Sequence, residues 1–246
     1  MVEKKLTVVI PTLQKCKNIL VKLIDHLDKD DSVTEIIIID NSLSGFNHSS
    51  PKVIVITPNE NIYVNPAWNL GVKKAKNEIV ALLNDDIILP ENFCRDVIAC
   101  MNKDMGIIGV NQFFIQELPQ KYHLPEANTI ILEKANYMDN YYGIAMFFYK
   151  SNYVPIPEEI KIVYGDSWIF TRCEKNKKSN YRINGATIYH YGSLSSGMKV
   201  FNPIAKQDSK IYKRLTVSFW DRLFSYENIW DCYKIRILGI TLKIKK

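Results

Sequence analysis

The feature that most constrains the fold is an alternation of short apolar runs with amphipathic segments over the first hundred residues. Four apolar runs, rich in β-branched residues, have the length of buried strands: 6–12, 34–41, 52–57 and 78–84. Three segments with apolar residues at helical intervals lie between or after them: 18–29, 65–76 and 90–101. Near-continuous apolar strands in series with helices predict an α/β fold with a mostly parallel central sheet flanked by helices.

The pattern becomes mixed after residue 101. Strand-like segments with longer irregular links follow at 105–114, 128–135 and 143–150, then a loop entering a helix at 164–176 and a strand leaving into a loop at 181–193. The expected organisation is one domain over 1–200, with halves at 1–104 and 105–200, and a helical, basic C-terminal tail over 201–246.

Positive charge is concentrated in this tail. The chain carries 32 Lys and Arg against 26 Asp and Glu, a net charge of +6. From Lys210 to Lys246 there are nine basic and three acidic residues, so residues 1–209 hold 23 of each sign. Because a nucleic-acid-binding domain carries its positive charge on the folded body, we expect no nucleic-acid partner.

The sequence gives no signal for export, membrane insertion or a cysteine framework. The N-terminal segment has an acid at Glu3 and an apolar run broken by Pro11, unlike a secretory leader. No apolar run reaches the roughly 18 residues of a membrane-spanning helix. The five cysteines are scattered without a CxxC pair, which favours free thiols over a zinc site or disulfides. We therefore expect a cytoplasmic protein.

Polar side chains end three of the four predicted strands. The first ends at Pro11 and Thr12, the second at Asp40, and the fourth at the Asn-Asp-Asp sequence of 84–86. One aspartate at a strand end is a common turn former. Because open parallel sheets bind ligands outside the carboxyl ends of their strands, three polar ends at one edge predict a ligand site.

Asp85 and Asp86 follow an apolar strand directly. Adjacent carboxylates repel each other, and the repulsion is strongest where water is scarce. We therefore expect a cationic partner at this position. The alternative is that the two acids cap the helix expected to begin at Pro90.

Five segments, taken in their order and spacing, resemble the family 2 glycosyltransferases, the inverting enzymes of the GT-A fold. They lie between Leu6 and Ser196: VVIPTLQKCKNI, EIIIIDNSLSG, NENIYVNPAWNLGVKKAKNEIVALLNDDIIL, YGDSWIF and HYGSLSSG. The resemblance implies a metal-dependent transfer of a sugar from a nucleoside diphosphate sugar to a hydroxyl of a glycan or lipid-linked glycan. It further implies a bacterial setting in cell-surface polysaccharide or lipopolysaccharide assembly. The glycine-rich dinucleotide fingerprint is missing after the first strand, which argues against a Rossmann dehydrogenase.

The resemblance also implies roles in the first half of the chain. The donor-nucleotide residues would be Pro11 and Thr12 in the nucleoside pocket, Asp40 at the base or ribose, Asn69 beside the nucleotide and sugar, and Asp85. The NDD sequence takes the place of the family's DxD motif, and Asp86 would bind Mg²⁺ or Mn²⁺. The metal would neutralise the diphosphate. Whether Asn84 or Asp85 also contacts the metal stays open.

For the second half the resemblance implies a general base and a further metal contact. Asp166 occupies the family's acidic loop, where Ser167 replaces the second acid, and would deprotonate the acceptor hydroxyl. His190 would contact the metal or the diphosphate. The alternatives are that Asp166 is an ordinary helix N-cap and that His190 is a hydrogen-bonded structural histidine.

The end of the chain, ITLKIKK at 240–246, alternates basic and apolar residues. Basic residues beside apolar ones suit an anionic membrane surface, which predicts peripheral attachment to the cytoplasmic face of the inner membrane. The same alternation is also typical of an edge strand protected by lysines.

Two other functions remain open at this point. A nucleotidyltransferase also holds metal with acids, but it needs a glycine- and lysine-rich phosphate loop after the first strand, and PTLQKCKN has no glycine. A non-catalytic module that binds a nucleotide sugar or a partner would keep the fold without the chemistry. The neutral Asn84 and Ser167 keep this second alternative open.

Overall fold

The computed structural model describes residues 4–111, 115–117, 122–126, 129–135, 143–191, 199–217, 223–229, 232–238 and 240–245. The chain divides into two compact units, Met1–Asp208 and Ser209–Lys246. Parts of the predicted segments 105–114, 128–135 and 181–193, and of the tail, lie outside the described residues. Within the described ranges, no helix has both the length and the apolar character needed to cross a membrane.

The first hundred residues form the predicted alternation of strands and helices. The elements are β1 (Leu6–Thr12), α1 (Lys17–Asp28), β2 (Val33–Asp40), β3 (Val53–Ile56), α2 (Val64–Lys74), β4 (Ile79–Leu83), β5 (Ile87–Ile88) and α3 (Phe93–Cys100). Every predicted strand and helix of this region is confirmed to within three residues at each end. The two-residue strand β5 was not predicted.

The second half is mixed, as predicted. Its elements are β6 (Met105–Val110), β7 (Ile115–Glu117), β8 (Ile131–Ala135), β9 (Ala145–Tyr149), α4 (Gly165–Lys175), β10 (Ser179–Asn184), β11 (Ile188–His190) and α5 (Asn202–Thr216). The segment predicted as one strand from residue 181 is divided into β10 and β11. The break falls beside Gly185, whose φ of +85° strands do not accommodate.

The central sheet has eight strands in the order β3-β2-β1-β4-β9-β6-β10-β8. Strands β1 to β4 pair in parallel, whereas β9 runs antiparallel to both β4 and β6. The chain builds outward from β1 through β2 to β3 and then returns to add β4 on the other side of β1. This reversal leaves a crevice at the carboxyl ends of β1 and β4, where open α/β sheets bind ligands.

Helices cover both faces of the sheet because successive strand residues point to opposite sides. On one face Val8 shares a buried cluster with Leu23 of α1 and Phe93 of α3. On the other face Val9 meets α2 so closely that a Cβ at Gly71 would lie 2.1 Å from Val9 Cγ1. Glycine at this position is what lets α2 approach the sheet.

A small second sheet joins distant parts of the chain in the order β5-β11-β7. Strand β11 runs antiparallel to β5, which pairs His190 with Ile87 and Tyr189 with Ile88. The backbone N–H of Tyr191 also donates to the carbonyl of Asp86 at 2.9 Å. This pairing carries the end of β11 to the residues that follow β4.

The tail differs in part from the helical prediction. Helix α5 is confirmed within it, but the chain then forms three antiparallel strands, β12 (Phe224–Ile229), β13 (Cys232–Ile237) and β14 (Ile240–Lys245). The Lys/Ile alternation of β14 has the two-residue period of a strand, so the edge-strand alternative describes its structure.

Candidate active site

A cavity of about 610 Å³ lies at the carboxyl ends of β1 and β4. Its other walls come from the first turns of α2 and α4 and from the end of β11. Six of the eight predicted site residues line it: Pro11, Thr12, Asp85, Asp86, Asp166 and His190. Residues from four separate elements therefore meet at the crevice that the strand order creates.

Thr12 and Asp85 join the ends of β1 and β4. The hydroxyl of Thr12 donates to Oδ2 of Asp85 at 2.5 Å, and accepts the backbone N–H of Gln14 at 2.8 Å. The pKa of the Asp85 carboxyl is raised to about 6, chiefly by burial; the Thr12 hydrogen bond lowers it and the nearby charge of Asp86 raises it. Asp85 is thus held in a fixed orientation but in a setting that disfavours its charge.

Asp86 and His190 form the second pair. Asp86 is 6% exposed, and its Oδ1 lies 3.2 Å from Nε2 of His190. This contact is not aligned as a hydrogen bond, so the buried Nε2 has no hydrogen-bond partner within the described ranges. A carboxylate oxygen and an imidazole nitrogen therefore lie side by side, and the imidazole nitrogen lacks a hydrogen bond within the described ranges.

This pair fits a small divalent cation. Two ligands bound at right angles to one Mg²⁺-sized ion lie about 3 Å apart, close to the observed separation. The part of the chain that the structure describes contains no group of three or more His, Cys, Asp or Glu side chains able to hold a metal. A cation at Asp86 and His190 would therefore take its remaining ligands from water or from a bound anion.

Asp166 lies in the first turn of α4 on another wall of the cavity. Burial raises the pKa of its carboxyl, while hydrogen bonds from Ser167 and Gly143 act in the opposite direction. The Ser167 N–H donates to Oδ1 at 2.7 Å. Since burial dominates, the carboxylate is a stronger proton acceptor than an exposed aspartate.

Neither acidic site is a helix cap. Helix α3 is preceded by Asn92 at the cap position, with a φ of +56°, and not by Asp85 or Asp86. Helix α4 is preceded by Tyr164, with a φ of +65°, and Asp166 follows inside its first turn. The structure therefore does not support the capping alternatives for these carboxylates.

The structure does not bring the other two predicted site residues, Asp40 and Asn69, to the cavity wall. Asp40 is fully buried, and its carboxylate accepts hydrogen bonds from the N–H of Ser42 and from Nε2 of Gln14, both at 3.0 Å. Oδ1 of Asn69 accepts from the Tyr153 hydroxyl at 2.7 Å and the Ile156 N–H at 2.9 Å. Both side chains hold neighbouring loops in place.

Several residues that sequence analysis did not single out also line the cavity. Asn65 and Trp68 lie one turn apart on α2, and both Oδ1 of Asn65 and Nε1 of Trp68 are buried without a hydrogen-bond partner among the described residues. Tyr63 and Phe201 pack edge to face, with ring centroids 6.2 Å apart. The helical spacing of Asn65 and Trp68 was readable in the sequence, but their inward direction was not.

Comparison with known proteins identifies solved structures with a similar fold. A GalNAc-T7 structure with UDP, GalNAc and Mn²⁺ has a TM-score of 0.67 at 11% identity, over 90% of this chain and 50% of that one. Residues 1–349 of S. aureus TarS give 0.56 at 13% identity, over 88% of this chain and 76% of that one. A second S. aureus TarS structure gives 0.57 at 11% identity, over 98% and 60%. No curated protein matches significantly.

The fold is that of the GT-A glycosyltransferases, with a large, mostly parallel sheet flanked by helices. Residues 7–172 match the family model described as Glycosyl transferase family 2. The chain belongs to this family and is a glycosyltransferase.

Proposed function

We propose that this glycosyltransferase is metal-dependent and inverting, and moves a hexose from a nucleoside diphosphate sugar to a hydroxyl of a glycan or lipid-linked glycan. The observation that carries the proposal is the meeting of the Asp86–His190 pair, Asp85 and Asp166 in one cavity at the switch point of the sheet. Cell-surface polysaccharide biosynthesis in a bacterium is the setting that we propose.

On the donor side, Asp86 and His190 would hold Mg²⁺ or Mn²⁺. The unsatisfied Nε2 of His190 beside Oδ1 of Asp86 supports this assignment. When bound, the cation would offset the negative charge on the nucleoside diphosphate as it leaves. Without a cation, the carboxylates of this cavity would repel a diphosphate.

Pro11 and Thr12 are proposed to form the nucleoside wall of the cavity. Thr12 would act with Asp85, whose orientation its hydroxyl fixes. Asp40 and Asn69 are proposed to support this wall by holding the loops that they contact. The direct contact from Asp40 to the base, and that from Asn69 to the sugar, stay predictions.

On the acceptor side, Asp166 is proposed as the general base. It would accept the proton of the acceptor hydroxyl as that oxygen attacks the anomeric carbon. The bond from that carbon to the diphosphate oxygen breaks in the same step, which inverts the configuration. A buried carboxylate with a raised pKa suits this task, because it binds the proton more readily than an exposed one.

The test is calorimetric titration of UDP, GDP, dTDP and CMP with and without Mn²⁺. We expect one nucleotide to bind in a Mn²⁺-dependent manner, and Asp86→Ala to weaken that binding by about a hundredfold, as expected when a charged ligand group is lost. Asp104→Ala is the matched control, because the Asp104 side chain is fully exposed. Mn²⁺-independent binding, or no binding to any of the four, would contradict the proposal.

The nucleotidyltransferase and the non-catalytic binding module are the two alternatives to this proposal. Membership of glycosyl transferase family 2 gives no support to the nucleotidyltransferase alternative. The non-catalytic module would bind a nucleotide sugar without consuming it. Mn²⁺-dependent release of the nucleoside diphosphate from its hexose conjugate, with water as acceptor, would exclude that module.

We also propose that the unit Ser209–Lys246 contacts an anionic membrane surface from the cytoplasmic side. Cross-strand register places Phe224, Ile237 and Ile240 on one face of its sheet, together with alternate residues of β14. Leu242 and Ile244 on that face are 52% and 50% exposed. An exposed apolar face in a segment with six surplus positive charges supports this assignment.

A further inference from the structure

A buried carboxylate on α5 holds one wall of the active-site cavity. Asp208 is 0% exposed. Its Oδ1 accepts the backbone N–H of Lys161 at 3.0 Å, and its Oδ2 accepts those of Ile162 at 2.7 Å and Val163 at 3.0 Å. Three consecutive backbone donors on one carboxylate fix the path of the chain, because hydrogen bonds to a charged acceptor are stronger than neutral ones.

The opposite side of this segment is held by Asn65 on α2. The backbone N–H of Asn65 donates to the carbonyl of Lys161 at 3.0 Å, and its Nδ2 donates to the carbonyl of Val163 at 3.2 Å. Residues 161–163 are therefore clamped between α2 and α5, with donors and acceptors both engaged. This clamp is defined by Asp208 on one side and Asn65 on the other.

The clamped segment leads directly into the proposed general base. Tyr164 follows in the left-handed region with a φ of +65°, and α4 begins at Gly165. A Cβ at Gly165 would lie 2.1 Å from Oδ1 of Asn65, so the start of α4 is packed against the same asparagine. Asp166 comes next, and this chain of contacts leaves its backbone little freedom.

We propose that Asp208 is a positioning residue for glycosyl transfer, which sets the geometry of Asp166 by fixing residues 161–163. This inference rests on the proposed role of Asp166 as general base. Helix α5 lies outside residues 7–172, so the family match assigns it nothing. The donor side is built on β1, β4 and β11, which Asp208 does not hydrogen-bond in the described part of the chain, so donor binding should not depend on it.

The test compares Asp208→Asn with wild type in Mn²⁺-dependent release of nucleoside diphosphate from UDP-, GDP- and dTDP-hexose. The side-chain NH₂ of the new asparagine would face backbone N–H groups, which cannot accept a hydrogen bond, so the clamp should loosen. We expect kcat to fall about ten- to a hundredfold, because a small misplacement of a catalytic group lowers the rate by about this much. Nucleotide affinity should stay unchanged. The acid limb of kcat should move to lower pH, because water reaching Asp166 would reduce the effect of burial on its pKa.

Deuterium exchange gives a readout that needs no substrate. The amides of 161–167 should exchange faster in Asp208→Asn than in wild type. If Asp208→Asn does not fold, Asp208→Ser serves instead, since one short hydroxyl cannot accept from all three amides and the clamp still loosens. Glu159→Gln, which removes an exposed charge from the adjacent loop, is the matched control.

Asp166→Asn separates this inference from the proposed function. If Asp166→Asn keeps wild-type kcat, the assignment of the general base is wrong. If Asp166→Asn is inactive but folded Asp208 variants keep wild-type kcat, acid limb and exchange, the positioning role is wrong. A loss of nucleotide affinity equal to the loss of kcat would show a merely structural role and would also overturn it.

Discussion

At the scale of single residues, Asp85 lies where burial disfavours its ionised form, so ionisation of this carboxyl lowers the stability of the fold. The carboxyl of Asp85 has its pKa raised to about 6 by burial, with Asp86 adjacent. Since the ordinary value is 3.8, the native state binds this proton more tightly than the unfolded chain does. The stabilisation from this protonated carboxyl is complete below pH 3.8 and is lost as the pH rises through 6.

Asp85→Asn should therefore stabilise the protein at neutral pH while it weakens donor binding. The amide oxygen can still accept from Thr12 but carries no charge to bury. We expect the free energy of unfolding at pH 7.5 in EDTA to rise by roughly 1–3 kcal/mol, the free-energy equivalent of a pKa raised from 3.8 to about 6. Urea denaturation measures this difference.

The same comparison at pH 3.8 provides the internal control, since wild type is then mostly protonated at Asp85. The two proteins should have nearly equal stability there. Asp104→Asn, at a fully exposed side chain, should show no pH-dependent gain. A gain of equal size at both pH values would show that the substitution acts through packing and not through charge.

At the scale of elements, those strands and helices that depend on local periodicity could be predicted from the sequence. The strands β1 to β4 and helices α1 to α3 were predicted because their apolar spacing is a property of each segment alone. The short strand β5 escaped prediction because it exists only through pairing with β11, about a hundred residues away, and the separation of β11 from β10 was likewise not predicted. That pairing is also what places His190 beside Asp86.

The contact between α2 and the sheet offers a test of packing at this scale. Gly71→Ala should destabilise the protein by about 1–3 kcal/mol, because the new methyl would lie 2.1 Å from Val9 Cγ1. Val9→Ala removes that γ-carbon and should recover part of the loss when combined with Gly71→Ala. Urea denaturation of both single variants and the double variant forms the cycle.

Strictly additive losses in this cycle would show that the clash is relieved elsewhere, for example by a shift of α2. Gly45→Ala is the control for the same substitution without a clash, since a Cβ at Gly45 meets nothing within 4 Å. Its φ of +80° makes its cost one of backbone conformation and not of packing.

At the scale of the whole molecule, the candidate site was predictable where it follows from sheet topology. Thr12, Asp85 and Asp86 were expected to meet because strand ends share one edge. Residues that approach the cavity through long-range contacts, such as Phe201 and Asn65, carried no local signal of their position. Asp208 was hidden for the same reason, as its partners lie 45 to 47 residues earlier in the chain.

The C-terminal unit supplies the prediction that belongs to this scale. Replacing Ile240, Leu242 and Ile244 together with serine should lower binding to phosphatidylglycerol vesicles about tenfold or more, because three apolar side chains leave the interface. Co-sedimentation measures the bound fraction. Circular dichroism checks that the sheet content is retained.

Leu43→Ser is the matched control, because Leu43 is an exposed apolar residue of the other unit, at 46%. Binding should weaken as salt concentration rises, since residues 210–246 carry the whole net charge of +6. Wild-type protein that stays in the supernatant with anionic vesicles would contradict membrane contact by this unit.

The boundary between the two units has a practical consequence for exchanging parts between related enzymes. The family match ends at residue 172, yet His190, Phe201 and Asp208 all contribute to the cavity or its walls. A chimaera joined at residue 172 would combine residues 1–172 of one enzyme with foreign versions of these contacts. A junction after Asp208, where the first compact unit ends, would transplant the whole site as one piece.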